Sequence, residues 1–416
     1  MMLSRFRRTF RRAWLILREE GPRRLLGRTF LRLAALLAGP TPGVLPTMLV
    51  ATDDAENVDW TDQPMWRTDP VTVGSGPLEL AWIMSPPGAE SGGHQNLFRF
   101  IKFAEQHGHR SRIYLYDQFG HSLSEVRGIL EASEAYPRLD ATIEDYRPEV
   151  GVHPTTQAIF ATGWETAYPS YRDPSSARRL YFIQDFEPSF YPSGTEALLA
   201  ENTYRFGFHG ITAGGWLSMK LHDEYGMSTD HFDFSVDGRL YNLTNRERRS
   251  EIFFYARPVT TRRAFEFGVL SLAKFAERRP EVPINFAGWD VRGWNVPFAY
   301  RNLGSLELSQ LNAVYNRCAA GLVLSLTNMS LLPLELLACG TAAVVNDAPN
   351  NRMVSDNPYI DYVPPSPGAI AERLEKILDA PDAIERSVAR SQSVIGTSWT
   401  ESGQQFVAAL ERAMRG

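Results

Sequence analysis

From residue 78 onward the chain repeats one series of events, a short apolar run, a turn and an amphipathic stretch. This alternation constrains the fold more than any other feature. The first instance is the clearest. Leu78-Glu79-Leu80-Ala81-Trp82-Ile83-Met84 predicts a strand and Ser91-Gly92-Gly93 a tight turn. Residues 94–107 then predict a helix, with Leu97, Phe98, Ile101 and Ala104 recurring every three to four positions, and 111–116 a second strand. Two strands joined through a helix run parallel, and the glycine turn falls at the helix N-terminus. Apolar runs at 158–161, 179–183 and 210–213 predict further buried strands, with helices over 122–135, 194–202 and 216–225.

The pattern breaks near Phe232–Asn245 and resumes at Glu251-Ile252-Phe253-Phe254-Tyr255-Ala256. Strands over 283–287, 321–326 and 342–346 and helices over 263–277, 308–317 and 331–339 follow, then helices over 369–378 and 400–414. The chain therefore divides into an arm (1–47), two doubly wound α/β domains with parallel sheets (48–238 and 239–396) and a final helix (397–416).

Charge separates the arm from the rest. Residues 1–32 hold ten arginines against Glu19 and Glu20, a net +8 that leaves −13 for the remainder of a chain whose total is −5. An acidic body excludes a general nucleic-acid binder. In the arm, Phe6, Phe10, Trp14, Leu15 and Leu17 alternate with arginine, a composition suited to an amphipathic helix on an anionic membrane through residues 1–38. A hairpin packed on the protein with solvated arginines is the other reading. No run is long enough to span a bilayer, and arginine interrupts the segment too often for an export signal, so the expected location is the cytoplasmic face of the cell membrane. Cys318 and Cys339, the only two cysteines, lie in apolar stretches and read as reduced core thiols.

Three constellations could support chemistry. Gly92 and Gly93 open a helix whose free N–H groups favour an anion. Phe253–Pro258 ends a strand at Arg257, and Arg262 and Arg263 follow at a helix start, where their guanidinium groups and backbone amides suit a diphosphate. In Ser325–Asn346 a strand leads through Thr327, Asn328, Ser330 and Leu331 into a leucine-rich helix with one carboxylate, Glu335, a group that a pair of sugar hydroxyls would satisfy. Gln184, Asp185 and Glu187 end a strand of the first domain, where α/β ligands bind, and either acid could orient an acceptor hydroxyl or take its proton. His153 is a further candidate base. Neither Asp-x-Asp at a strand end nor His-Glu-x-x-His occurs, so no metal is expected.

From about Leu78 to the C-terminus the chain resembles the retaining, nucleotide-sugar-dependent glycosyltransferases of family 4, whose GT-B fold sets two Rossmann-like domains face to face. The likeness rests on Gly92-Gly93 after the first strand, on the arginines at 257, 262 and 263, and on Glu335 followed by Ala338-Cys339-Gly340-Thr341-Ala342-Ala343-Val344-Val345, close to the family's Ala-Cys-Gly-x-x-Val-Val. It implies that the arginines grip the donor diphosphate and that Glu335 binds the ribose hydroxyls. The first glutamate of the family's Glu-x7-Glu motif is replaced by Thr327. That departure, with Gln184-Asp185-Phe186-Glu187-Pro188, resembles rhamnosyltransferases of bacterial surface-glycan assembly. The resemblance implies dTDP-L-rhamnose as co-substrate, no other cofactor, and a glycan or lipid-linked glycan as acceptor. The alternatives are a GT-B transferase or epimerase using a UDP- or GDP-sugar, and a carbohydrate-binding shell without turnover.

Overall fold

The computed structural model describes residues 48–88, 91–133, 136–396 and 398–415; the basic arm, and the membrane contact expected of it, lie outside the described residues. Two sheets organise the rest. The first contains β1 (Glu79–Met84), β2 (Arg110–Leu115), β3 (Thr142–Asp145), β4 (Ala158–Ala161), β5 (Arg178–Ile183), β6 (His209–Ala213) and β7 (Ser228–Phe232), in the order β3-β2-β1-β4-β5-β6-β7. The second contains β8 (Glu251–Tyr255), β9 (Ile284–Ala287), β10 (Arg301–Gly304), β11 (Cys318–Val323), β12 (Ala342–Asn346) and β13 (Ile360–Val363), in the order β10-β9-β8-β11-β12-β13. Every pairing is parallel. Each order reverses direction once, between β1 and β4 and between β8 and β11, and the crevice beyond those strand ends is where open α/β sheets take ligands.

The central strands are apolar on both faces because helices cover both, which is why they read as unbroken hydrophobic runs. Register fixes the packing within them. Trp82 lies directly opposite Phe160, and their rings stack at 4.0 Å and 6°. Phe406 of the last helix, Trp399–Arg415, reaches the same cluster at 6.2 Å from Trp82, so this helix packs on the first sheet. Gly403 permits that approach, since a Cβ there would sit 2.5 Å from the Phe103 ring.

Two local expectations are corrected. Arg262 and Arg263 do not open a helix. They form a single 3-10 turn, Thr261–Arg263, and Ala264 then turns into the left-handed region at φ 46° before the helix Phe265–Arg278 begins. The strand expected over 321–326 runs over Cys318–Val323 instead, because beyond it the Ser325 N–H bonds the Asn346 side chain at 2.8 Å rather than a strand partner.

Candidate functional site

At the carboxyl edge of the second sheet, Arg257 leaves β8 and donates from Nη1 to the Gly288 carbonyl at 3.2 Å, its guanidinium 5.7 Å from the Trp289 ring centre. Arg263 is held more deeply, donating to Ser325 Oγ at 2.7 Å, and burial lowers its pKa from the usual arginine value. The loop after β11 is pinned from behind by amide side chains: Asn346 and Asn351 both donate to the Ser325 carbonyl, at 2.9 and 3.2 Å. Within this loop Thr327 Oγ1 and Ser330 Oγ are buried and have no hydrogen-bond partner among the described residues. An unmet buried hydroxyl costs roughly 1–3 kcal/mol.

Glu335 follows, on the short helix Leu332–Ala338. Burial among leucines pushes its carboxyl up to about 7, against the pull of Arg99 and a hydrogen bond from Tyr315. Arg99 belongs to the first domain's helix Gly92–Gln106, and its guanidinium lies 3.9 Å from the centre of the Trp399 ring. The first sheet thus lends a cation to a carboxylate of the second.

The two edges also touch directly. Asp185, at the end of β5, accepts from Arg262 Nε at 2.9 Å through one oxygen and from the Asn328 N–H at 2.9 Å through the other. Asn328 in turn donates to the carbonyls of Gln184 and Ala213, at 3.0 and 2.7 Å. Arg262 is completed by the Phe190 ring, 4.0 Å away. The structure therefore sets Asp185, Arg262 and Asn328 together as a clamp between the sheets.

Glu187 is covered. It accepts from the Tyr181 hydroxyl at 2.5 Å, and burial, with the nearby Glu165 charge adding to it, pushes its carboxyl up to about 8. His153 is a correction: it is not at this edge. It sits exposed in the loop entering β4, bonded to Thr155 Oγ1 at 2.9 Å, and its neighbour Val152 bonds Asp173 at the far end of the helix Trp164–Arg172. Gly92 and Gly93 are exposed at their helix start, and Gln184 Nε2 donates to the Gly93 carbonyl at 2.9 Å. A Cβ at Gly93 would meet only ordinary contact, so the chain's own packing does not demand glycine there.

Sequence reasoning missed Glu165. It stands on the helix after β4, partly exposed, and accepts from Ser85 Oγ at 2.6 Å. Pro169 masks the helical period of that segment; the signal was position, since Glu165 lies four residues past an apolar run.

Three kinds of likeness bear on these facing edges. In solved structures of Anabaena HepE with UDP-glucose, the chain matches at a TM-score of 0.62 and 13% identity over 80% of this chain and all of that one. A mutant of S. aureus TarM, in complex with fondaparinux, α-GlcNAc-glycerol and UDP, matches at 0.63 and 7% over 82% of this chain and all of that one. The fold is GT-B. Within it, residues 145–213 match the family described as WsaF, N-terminal domain, and residues 250–375 the family described as WsaF, C-terminal domain. The O-antigen biosynthesis protein RfbC of Myxococcus xanthus is 33% identical over 356 residues, 82% of this chain; the chain spans 27% of that protein's length. Ser85, Glu165 and Gln184 follow the ends of β1, β4 and β5 in the first sheet, and Arg257, Arg263 and Glu335 follow the ends of β8 and β11 in the second.

Proposed function

We propose that this protein is a glycosyltransferase that moves a sugar from a nucleotide donor onto a glycan acceptor during assembly of a bacterial cell-surface polysaccharide. The observation that carries this reading is the arginine edge of the second sheet: Arg257 and Arg263 beside two buried hydroxyls, Thr327 and Ser330, that lack partners. In this reading Arg257 and Arg263 hold the donor diphosphate, Glu335 the ribose hydroxyls, and Thr327 and Ser330 the transferred sugar. The likeness to RfbC and to the WsaF domains supports the surface-glycan setting. Neutral contacts suit a 6-deoxy sugar, and our donor is dTDP-L-rhamnose.

Transfer proceeds with retention. The acceptor oxygen bonds to the anomeric carbon on the face from which the diphosphate departs, and the carbon–oxygen bond to the diphosphate breaks with its electron pair on the leaving group. The acceptor's proton passes to a departing phosphate oxygen. Arginines fixed before the reaction stabilise the charge that builds on the diphosphate, where such help is worth most. Residues 1–38 hold the enzyme at the cytoplasmic face of the membrane, near an anchored acceptor. Among the described residues no helix is long and apolar enough to cross a membrane.

Isothermal titration with dTDP, UDP and GDP, without metal and then with magnesium, tests the donor. Preferential metal-independent binding of dTDP is expected; preference for UDP or GDP keeps the transferase and discards rhamnose, and binding of none favours a shell without turnover. Deleting residues 1–38 is expected to abolish flotation with anionic liposomes, and unchanged flotation would remove the arm's role.

A further inference from the structure

The first sheet's edge contains a relay that no feature of the donor site uses. His94 Nε2 lies 3.1 Å from the Ser85 carbonyl, which can only accept, so this nitrogen bears the proton. Its Nδ1, 2.9 Å from Ser91 Oγ, then accepts from that hydroxyl, and desolvation favours this neutral ring by lowering the His94 pKa. Ser85, its backbone fixed by His94, donates from Oγ to Glu165 at 2.6 Å.

Glu165 is built in at a cost. Its carboxyl curls back over Gly163, where any Cβ would lie 2.8 Å from both of its oxygens. Burial raises its pKa, and no cation among the described residues offsets that. A carboxylate in such surroundings is unfavourable unless something hydrogen-bonds it. The other acids at these strand ends are occupied, Asp185 by Arg262 and Asn328, and Glu187 by Tyr181. Glu165 is partly exposed, as are Ser85, His94, Thr162 and Gln184 around it, and the group stands at the ends of β1, β4 and β5, on the reversal point of the strand order.

We infer that Glu165, oriented by the Ser91–His94–Ser85 relay, is the binding site for a hydroxyl of the acceptor sugar, so that the acceptor is held as a neutral pyranoside. The inference rests on the glycosyltransferase reading. A carboxyl group offers acceptor oxygen in either protonation state, so it suits a ligand rich in donors, and a sugar hydroxyl is one that carries no charge to compete with the arginines opposite.

The test uses the full chain with dTDP or UDP present. Saturation-transfer NMR is run with methyl pyranosides, α-L-rhamnoside, α-D-glucoside and α-D-mannoside, and the dissociation constant of any binder is titrated. Glu165→Gln keeps an oxygen to accept from Ser85, so a merely structural role predicts no change. The hydroxyl-binding role predicts at least a tenfold weaker glycoside constant with nucleotide affinity held within twofold. Ser85→Ala, which leaves the carboxylate but frees it, is expected to weaken the glycoside three- to fivefold and guards against misfolding of the first variant. Unchanged glycoside affinity in both variants, or no glycoside signal from a wild type that binds nucleotide, overturns the inference. A wild type that binds no nucleotide overturns the glycosyltransferase reading instead.

Discussion

The two sheets reverse strand order at the same relative place, yet their carboxyl edges present opposite chemistry. Around β8 and β11 stand Arg257, Arg262 and Arg263, backed by Asn346 and Asn351, which are neutral and pin the loop. Around β4 and β5 stand Glu165, Asp185 and Glu187, buried or half-buried, with Tyr181 and Ser85 as their neutral donors. One topology therefore carries two unlike edges, and the side chains at the strand ends decide that one is rich in arginine and the other in carboxyl groups. The sheets meet where these chemistries cancel, at Asp185 and Arg262.

Removing the arginine edge should have the largest effect. Arg257→Ala is expected to weaken dTDP or UDP binding about 10- to 100-fold, since a hydrogen bond to a charged group contributes roughly 1.5–3 kcal/mol. Glu335→Ala should cost about tenfold on the same scale. Titration calorimetry on variants whose melting curves match wild type checks both, and retained affinity in the pair would break the division of labour between the edges.

Next comes the place where the halves join. Asp185→Asn leaves an oxygen for the Asn328 N–H but sets an amide N–H against Arg262 Nε. The pair is neither exposed nor deeply buried, so the expected loss is about 1–2 kcal/mol of stability, between the limits for surface and buried ion pairs. Urea unfolding reads that loss, and small-angle scattering should show a larger radius of gyration. An unchanged radius would mean that the remaining contacts, those of Asn328 among them, hold the sheets together without this ion pair.

Glu187 separates the acidic edge from the basic one by pH. Its carboxyl is pushed from an ordinary 4.5 up to about 8, first by burial and then by Glu165. Across that window the native state keeps a proton that the unfolded chain releases, so stability falls as pH rises from about 4.5 to about 8. Glu187→Gln has no proton to lose, and its unfolding midpoint should vary less over the same range. Parallel profiles for the two proteins would show that another group sets the slope.

The same contrast explains what was legible in the sequence. Every central strand was readable because a strand covered on both faces is a run of apolar residues, as in Ala158–Ala161 and Ala342–Asn346. The four strands that were missed, β3, β7, β10 and β13, are the outermost strands of the two sheets. Thr-Ile-Glu-Asp and Arg-Asn-Leu-Gly have no such run, since an edge strand is half in water and polar side chains keep it from pairing further. At the site, the arginine triplet and Glu335 stood out because charge beside apolar sequence is conspicuous. Glu165 did not, because its partner Ser85 comes from β1's end and Ser85 is in turn bonded by His94 of a separate helix, and only tertiary structure assembles them. Asp185 was conspicuous for a different reason from the one expected: its position is shared with Arg262, 77 residues away.

The smallest effect belongs to Arg99, a cation that the first domain sets beside Glu335 of the second. Arg99 lowers the Glu335 carboxyl against the burial that holds it at about 7. Arg99→Met keeps an apolar stem against Trp399 and removes the charge, so Glu335 should titrate higher still and be less ionised at neutral pH. If Glu335 receives ribose hydroxyls as a carboxylate, nucleotide affinity in Arg99→Met falls about two- to fivefold near neutrality, the scale of a modest pKa change, and recovers as pH is raised. The loss in Arg257→Ala should not recover, because no titration restores a missing guanidinium. Titrating dTDP against both variants at neutral and mildly alkaline pH separates the two, and a pH-independent deficit in Arg99→Met would mean that Arg99 acts on the nucleotide directly and not through Glu335.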